Sequence, residues 1–227
     1  MKLSVILPAK DEEGLLSTVL KDITSYLDVA RLTYEVVVVE NGSSDNTLEI
    51  AKACARKNFR IKVECLLEPA YGKALIRGIK KARGRYIVIF NVDFWDKKFI
   101  DLINADLLGY DLVTGSKLLS SSKDNRSLNR KLITFFFNLF LKIFFGFKGT
   151  DTHGIKAFRR NILLPIINRC RTETGIFDSE LVIRSQRAGL DILELPVEII
   201  ERRSPRFSNR IFQTPADLIK LYAALKR

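Results

Sequence analysis

The sequence is short of the residues that staple small or secreted proteins: in 227 residues it has three cysteines, one histidine, one methionine and one tryptophan. Cys54, Cys65 and Cys170 are odd in number, widely spaced and set in apolar or helical contexts. That pattern argues against a disulfide framework and against a cysteine-rich zinc site. They read instead as buried thiols in a reducing compartment. Long apolar runs are missing too, since no stretch reaches the about 18 uninterrupted apolar residues of a spanning helix. The opening Met1-Lys2-Leu3-Ser4-Val5-Ile6-Leu7-Pro8 is closed too early by Pro8 for a signal peptide and reads as a first strand. There is no internal repeat, no linker that would separate a second domain, and neither the Gly-x-x-x-x-Gly-Lys nor the Gly-x-Gly-x-x-Gly spacing. These absences lead us to expect a single domain over residues 1–227, located in the cytoplasm.

What is present is ample material for one core, with 47% apolar residues, and a net charge of +12. The charge favours an anionic partner: nucleic acid, an anionic bilayer surface or a phosphorylated substrate. Charge alone does not choose among them. Residues 3–8, 34–40 and 86–91 are apolar runs without alternation, the pattern of strands buried on both faces. Helical patterns lie between them, one with Leu16, Val19, Leu20, Ile23 and Leu27 on a single face, a less regular one around Leu48 to Cys54, and a third from Tyr71 to Ala82. Such alternation predicts an α/β fold with a mostly parallel central sheet flanked by helices. Farther along, a helix is expected over 97–108, a strand over 111–116 and a Ser-rich loop over 120–129. An apolar helix over about 130–147 follows, with helices over 162–169 and 178–188, a strand over 192–200 and a basic segment from 201 ending in a short helix.

Parallel sheets bind ligands beyond the carboxyl ends of their strands. Here those ends are polar: Pro8-Ala9-Lys10-Asp11-Glu12, Glu40-Asn41-Gly42-Ser43-Ser44-Asp45 and Asn91-Val92-Asp93. Glu40 emerges after four valines, where its carboxylate can accept from a base or a ribose. Asn41-Gly42 makes a tight turn, and Asn46 with Glu49 fits a capping box for the next helix. Asp93 is the candidate metal ligand, because Mg²⁺ and Mn²⁺ favour carboxylate oxygen shared with substrate phosphates; Asn91 offers a neutral oxygen on the same side and Asp96 a second carboxylate. Gly72-Lys73-Ala74 opens a helix whose N–H groups and lysine would attract phosphate, and Gly78 would let that helix lie close to the sheet.

In this order the elements resemble the family-two glycosyltransferases, which have the GT-A fold, and the resemblance covers nearly the whole chain. Val5 to Glu12 resembles that family's opening strand and base-binding loop. Val38-Val39-Glu40-Asn41-Gly42-Ser43-Ser44-Asp45 is similar to its second motif, with Glu40 where the base is contacted. Gly72-Lys73-Ala74 and Gly78 match its third helix, and Asn91-Val92-Asp93 stands where its Asp-x-Asp metal motif belongs. The resemblance is nearer to the polyprenyl-phosphate branch, which includes the dolichyl-phosphate mannosyl- and glucosyltransferases. Asp111 to Lys117, Asp151-Thr152-His153-Gly154 with Lys156-Ala157-Phe158-Arg159, and Phe177-Asp178-Ser179-Glu180-Leu181 carry that likeness. Two positions depart from it: Asn91 replaces the first Asp of the metal motif, and Trp95 stands where a polar ligand can occur.

The resemblance implies an inverting transfer of a hexose from a UDP- or GDP-sugar to a polyprenyl phosphate, with Mg²⁺ or Mn²⁺ as cofactor. Nucleotide contacts then fall to Pro8, Ala9, Lys10, Glu12, Glu40, Gly42, Lys73, Asn91, Val92 and Asp93, the metal to Asp93 and Asn91, and the acceptor phosphate to Lys117, Arg130 and Arg202. Asp93 and Lys73 would stabilise the leaving diphosphate, while Asp178 would orient the sugar or, were the acceptor a neutral hydroxyl, act as general base. A phosphate acceptor, with a second pKa near ~6, is already anionic at neutral pH and needs no base. His153 is the other candidate base, or else bonds a loop or the diphosphate. Leu132 to Phe147 holds seven of the fifteen phenylalanines, interrupted only by a stripe of Thr134, Asn138, Lys142 and Gly146, and reads either as an interface helix on the cytoplasmic face of a membrane or as a core or dimer helix. We expect peripheral membrane contact, no nucleic acid, and either an anchoring partner or a homo-oligomer. A transferase acting on a glycan or small-molecule hydroxyl, and an inactive nucleotide-sugar-binding module, are the alternatives.

Overall fold

The computed structural model describes residues 2–124, 127–199 and 210–226. Strands β1 (Leu3–Ala9) and β2 (Tyr34–Asn41) are buried along their whole length, as non-alternating β-branched runs require. Helix α1 (Leu16–Val29) joins them; α2 (Thr47–Lys57), β3 (Ile61–Leu66), α3 (Tyr71–Lys81) and β4 (Tyr86–Ile89) follow. All four strands run parallel, with β1 between β2 and β4 and β3 outside β2. β3 is not among the strands expected from the sequence, because Lys62 and Glu64 alternate with Ile61 and Val63 at the sheet edge and break the apolar run.

The second half supplies α4 (Lys97–Asn104), a 3-10 turn at Asp106–Gly109, β5 (Leu112–Ser116), β6 (Lys123–Asp124), α5 (Leu128–Phe145), β7 (Lys156–Arg159), α6 (Arg160–Ile167), α7 (Phe177–Arg187), β8 (Ile192–Pro196), β9 (Glu198–Ile199) and α8 (Arg210–Leu225). The main sheet has the order β3-β2-β1-β4-β7-β5-β8, and β7 is its antiparallel member. This is the mostly parallel, helix-flanked sheet expected. Four residues with a cation at each end hid β7 from the sequence reading. The Ser-rich loop includes β6, which pairs with β9, so the strand expected over 192–200 is divided at Val197.

Successive residues of the central strands feed two separate cores. Leu3, Val5, Leu7, Val36 and Val38 pack with α1, α2 and α4, whereas Ile6, Val37 and Val39 pack with α3, α6 and α7. Pro8 sits inside β1 at no cost to the sheet. The Phe90 N–H donates to the Ile6 carbonyl, so Ile6 and Pro8 face β4, and β4 has ended before it reaches Pro8. Gly78 lets α3 lie on the sheet: a Cβ there would stand 2.7 Å from Ile6 Cγ2 and 2.9 Å from Val39 Cγ2.

Helix α5 is both a core helix and an exposed one. Leu141 and Phe145 are buried in the second core, and the polar stripe partly turns inward, with Asn138 only 2% exposed. The opposite face leaves Leu128, Leu132, Phe135, Phe136, Leu139 and Ile143 exposed, positions that recur at helical spacing. Among the described residues no helix is long and apolar enough to cross a membrane.

Candidate functional site

The loops that leave β1 and β2 are stitched together. Asp11 N–H donates to Ser43 Oγ (3.1 Å), and the Asp11 carboxylate accepts from the Ser44 N–H (2.8 Å). Glu13 N–H donates to Asp45, and the Glu13 carboxylate accepts from the Asn46 backbone (3.1 Å) and side-chain amide (3.0 Å). Asp11 adopts φ +54, a left-handed conformation that aspartate tolerates better than most residues. The capping box of Asn46 and Glu49 does not form, because the Asn46 amide serves Glu13 and Asp45 takes the first N–H of α2, that of Thr47 (2.9 Å). These bonds hold the Asp45 carboxyl below the usual range: burial pushes it up, but the donors from Thr47 and Glu13 prevail.

Between these loops the register places Ala9 beside Glu40 and Pro8 beside Val39. Glu40 is nearly buried and accepts from Ser43 N–H at 2.5 Å, while Gly42 (φ +66) turns the chain past Pro69. Glu12 is buried with its N–H on Thr47 Oγ1 (2.7 Å), and Lys10 is exposed. After β4, Asn91 and Phe94 exchange both backbone hydrogen bonds at 3.1 Å, so Asn91 and Asp93 belong to one tight turn with Val92 buried beneath it. The nucleotide and metal candidates therefore gather at one end of the sheet.

Asp96 caps α4 by accepting from Lys98 N–H at 2.9 Å. Trp95 is a packing residue, its ring 6.2 Å from those of Tyr26 and Phe90. Among the described residues no three of His, Cys, Asp and Glu cluster to hold a metal by themselves. Asp93 and Asn91 suit a cation that takes its other ligands from phosphate.

Lys73 opens α3 as expected, yet the N–H groups around it are not open to a ligand. Gly72 and Lys73 donate them to the Glu173 carbonyl at 2.8 and 3.3 Å, and Lys73 Nζ pairs with the Glu173 carboxylate at 2.8 Å, which raises its pKa. The Ala70 N–H goes to Asn41 Oδ1 (2.7 Å). Phosphate attraction at this helix start is thus left to the half-exposed lysine side chain.

Beside this group lies a buried polar network that the sequence reading largely missed. Lys117, expected at the acceptor phosphate, is paired with the fully buried Asp151 at 2.9 Å and donates to the His153 carbonyl at 3.2 Å. Lys156 Nζ donates to Asp178 Oδ1 at 2.7 Å, with both residues buried. Glu194 accepts from Thr150 N–H and Oγ1 (each 2.8 Å) and from Asp151 N–H (3.2 Å). Glu180 is likewise structural, bound by Thr172 and by Arg184 at 2.8 Å. His153 bonds the loop: Nε2 meets the Gly175 carbonyl (3.2 Å), which fixes the proton there and leaves Nδ1 to accept from Thr152 Oγ1 (3.1 Å). The clue to the network was Lys156 itself, a cation within an otherwise apolar run. Of the other acceptor residues, Arg130 lies in the first turn of α5, its side chain outside the description, and Arg202 lies outside the described residues.

Polar strand ends, an acidic turn and a lysine at a helix start thus lie at one end of a largely parallel sheet, the end where such sheets bind ligands. The family model for glycosyl transferase family 2 matches residues 4–164, and the chain belongs to that family. Its fold is accordingly GT-A. Dolichyl-phosphate beta-glucosyltransferase of Dictyostelium discoideum is 28% identical, over 96% of this chain and 73% of that protein. The enzyme of the same name from Saccharomyces cerevisiae is 28% identical over 86% of this chain and 66% of that one. Glycosyltransferase AglD of Haloferax volcanii is 29% identical over 87% of this chain, which spans only 33% of AglD. Among solved structures, glucosyl-3-phosphoglycerate synthase of Mycobacterium tuberculosis with Mn²⁺, uridine diphosphate and glucosyl-3-phosphoglycerate superposes with a TM-score of 0.69 at 21% identity, covering 99% of this chain and 78% of that one.

Proposed function

We propose that this protein moves a hexose from a nucleoside-diphosphate sugar to a polyprenyl phosphate at a membrane surface, with inversion at C1. The observation that carries the reading is the placement of α5. Its Phe137 packs edge-on against His153, with ring centroids 5.2 Å apart, so a helix with an exposed apolar face abuts the polar end of the sheet. Dolichyl-phosphate glucosyltransferases among the relatives point to the same acceptor, and uridine diphosphate in the synthase crystals makes a UDP-hexose the first donor to try.

In this reading the acceptor phosphate oxygen attacks C1 while the bond from C1 to the diphosphate oxygen breaks and its electron pair leaves with the nucleoside diphosphate. Pro8, Ala9, Lys10, Glu12, Glu40, Gly42 and Val92 shape the base and ribose side. Asp93 and Asn91 hold Mg²⁺ or Mn²⁺, which when bound neutralises charge on the leaving group. Lys73 turns from Glu173 to the diphosphate. Arg130 and Arg202 serve the acceptor phosphate, with Lys117 behind them through the turn it braces. Asp178 orients the sugar. A hydroxyl acceptor would need Asp178 as a base, acting through Oδ2 because Oδ1 is held by Lys156.

The test is to incubate the purified protein with Mn²⁺, vesicles bearing a polyprenyl phosphate and a panel of labelled UDP- and GDP-hexoses. A glycolipid product is expected. Neither turnover nor binding of any donor would sink the reading. In the same assay D178N should cost about 10- to 100-fold, the range of lost orientation; near-total loss would instead favour hydroxyl chemistry.

A further inference from the structure

Lys156 is wholly buried, and the reaction proposed above makes no use of it. An ammonium has three donors, and here each has one acceptor: Asp178 Oδ1 at 2.7 Å, the Gly154 carbonyl at 2.8 Å and the Thr152 carbonyl at 3.0 Å. Two of these acceptors belong to the turn that carries His153, and the third stands in the first turn of α7. The same junction is closed a second time by Thr152 Oγ1 and Ser179 Oγ, 2.8 Å apart. The far side of the turn is fixed by Asp151, whose Oδ1 accepts from His153 N–H at 3.0 Å while its Oδ2 holds Lys117. The turn therefore cannot shift without dragging Lys156, and Lys156 cannot shift without turning the Asp178 carboxylate.

A buried ion pair contributes little net stability compared with apolar residues of equal volume, because desolvation offsets most of the attraction. Its value lies in holding one geometry. An aspartate at a helix start has several rotamers available; one whose Oδ1 is fixed by a fully coordinated ammonium has its other oxygen aimed in a single direction.

We propose that Lys156 is a positioning residue, which fixes the Asp178 carboxylate for the donor sugar by fastening it to the turn at 152–154. The proposal rests on the donor-site reading given above.

Steady-state kinetics of K156M, D178N and the double variant, with calorimetric binding of uridine diphosphate and Mn²⁺ to each, form the test. We expect K156M to lower kcat about 10- to 100-fold, with donor KM and uridine diphosphate affinity within about threefold of wild type. The double variant should fall no more than about threefold below the worse single variant, since both remove one device. Retained kcat, losses that multiply, or a loss of kcat matched by equal loss of diphosphate binding would each overturn the proposal. Should K156M not fold, K156Q, which keeps a donor and removes the charge, is held to the same criteria. Wild-type protein that turns over no nucleotide sugar defeats the donor-site reading and this proposal together, whereas an active wild type with an indistinguishable K156M defeats this proposal alone.

Discussion

Gly154 and Gly115 meet main chain to main chain: a Cβ on Gly154 would stand 1.6 Å from the Gly115 carbonyl oxygen, and the Gly115 N–H donates to the Ile155 carbonyl at 2.8 Å. Nothing at this contact can swing aside, because both partners are backbone. G154A should therefore destabilise the protein by on the order of 3 kcal/mol and disorder the turn between Lys117 and Lys156. G175A is the control, since its Cβ would meet nothing within 4 Å. Thermal melts of the two variants decide it; a melting temperature for G154A equal to that of G175A contradicts the tight contact.

Asp93 and Asn91 share a turn but not a chemistry. D93A should abolish metal-dependent activity, a loss of about 100-fold or more, because an amide oxygen alone binds Mg²⁺ or Mn²⁺ weakly. N91D should preserve activity or strengthen Mn²⁺ affinity by restoring a second carboxylate. Turnover and calorimetry across a Mn²⁺ titration measure both, and unchanged metal dependence in D93A would remove Asp93 from the metal site.

Acid should loosen the Asp151 turn. Burial pushes the Asp151 carboxyl up, but the charge and hydrogen bonds of Lys117, with the His153 amide, overcome this and hold it at about 2. The folded pKa lies below the unfolded one, so this carboxylate stabilises the fold fully above pH ~4 and loses that contribution as the pH falls toward ~2, on the order of 2 kcal/mol in all. In K117M the His153 amide still opposes burial but the lysine charge does not, and the loss should begin at higher pH. Urea midpoints measured from pH 6 to pH 2.5 show it; coincident acid limbs for K117M and wild type would refute the pairing.

The membrane test needs residues whose charge would not disturb the core. Phe136 and Ile143 qualify, at 60% and 68% exposed, while Phe140 does not, because it is half-buried and stacks on Phe144 at 4.2 Å. F136D with I143D should lower sedimentation with anionic vesicles about tenfold or more while leaving the melting temperature unchanged. Undiminished binding removes α5 from the interface.

What could be read from sequence follows burial. Val36 to Val39 announced a central strand because both faces are covered, and the three strand ends were visible as polar breaks after such runs. β3 and β7 were not, since one is an edge strand carrying Lys62 and Glu64 and the other hides a buried Lys156 whose partners come from the 152–154 turn and α7. The same limit governed the site. Types and order pointed to Asp93, Glu40 and Lys73, but only the folded chain reveals that Asp96 is a helix cap, that Glu173 occupies the N–H groups of Gly72 and Lys73, and that Lys117 already has a carboxylate. Pairings between distant segments leave no periodic trace in a sequence.

The missing side chain at Gly78 acts as a gauge. Ile6 and Val39, the two residues it rests on, lie just before Pro8 and Glu40 on their strands. Lys73 stands five residues nearer the start of the same helix, about 7.5 Å along its axis. The height of that lysine over the base-side loops is thus set in part from the strands that carry them, through the close approach of the Gly78 main chain to the Ile6 and Val39 side chains. Any larger residue at position 78 would raise the helix and carry the cation away from whatever anion it is meant to meet, although no residue of the site would have been replaced.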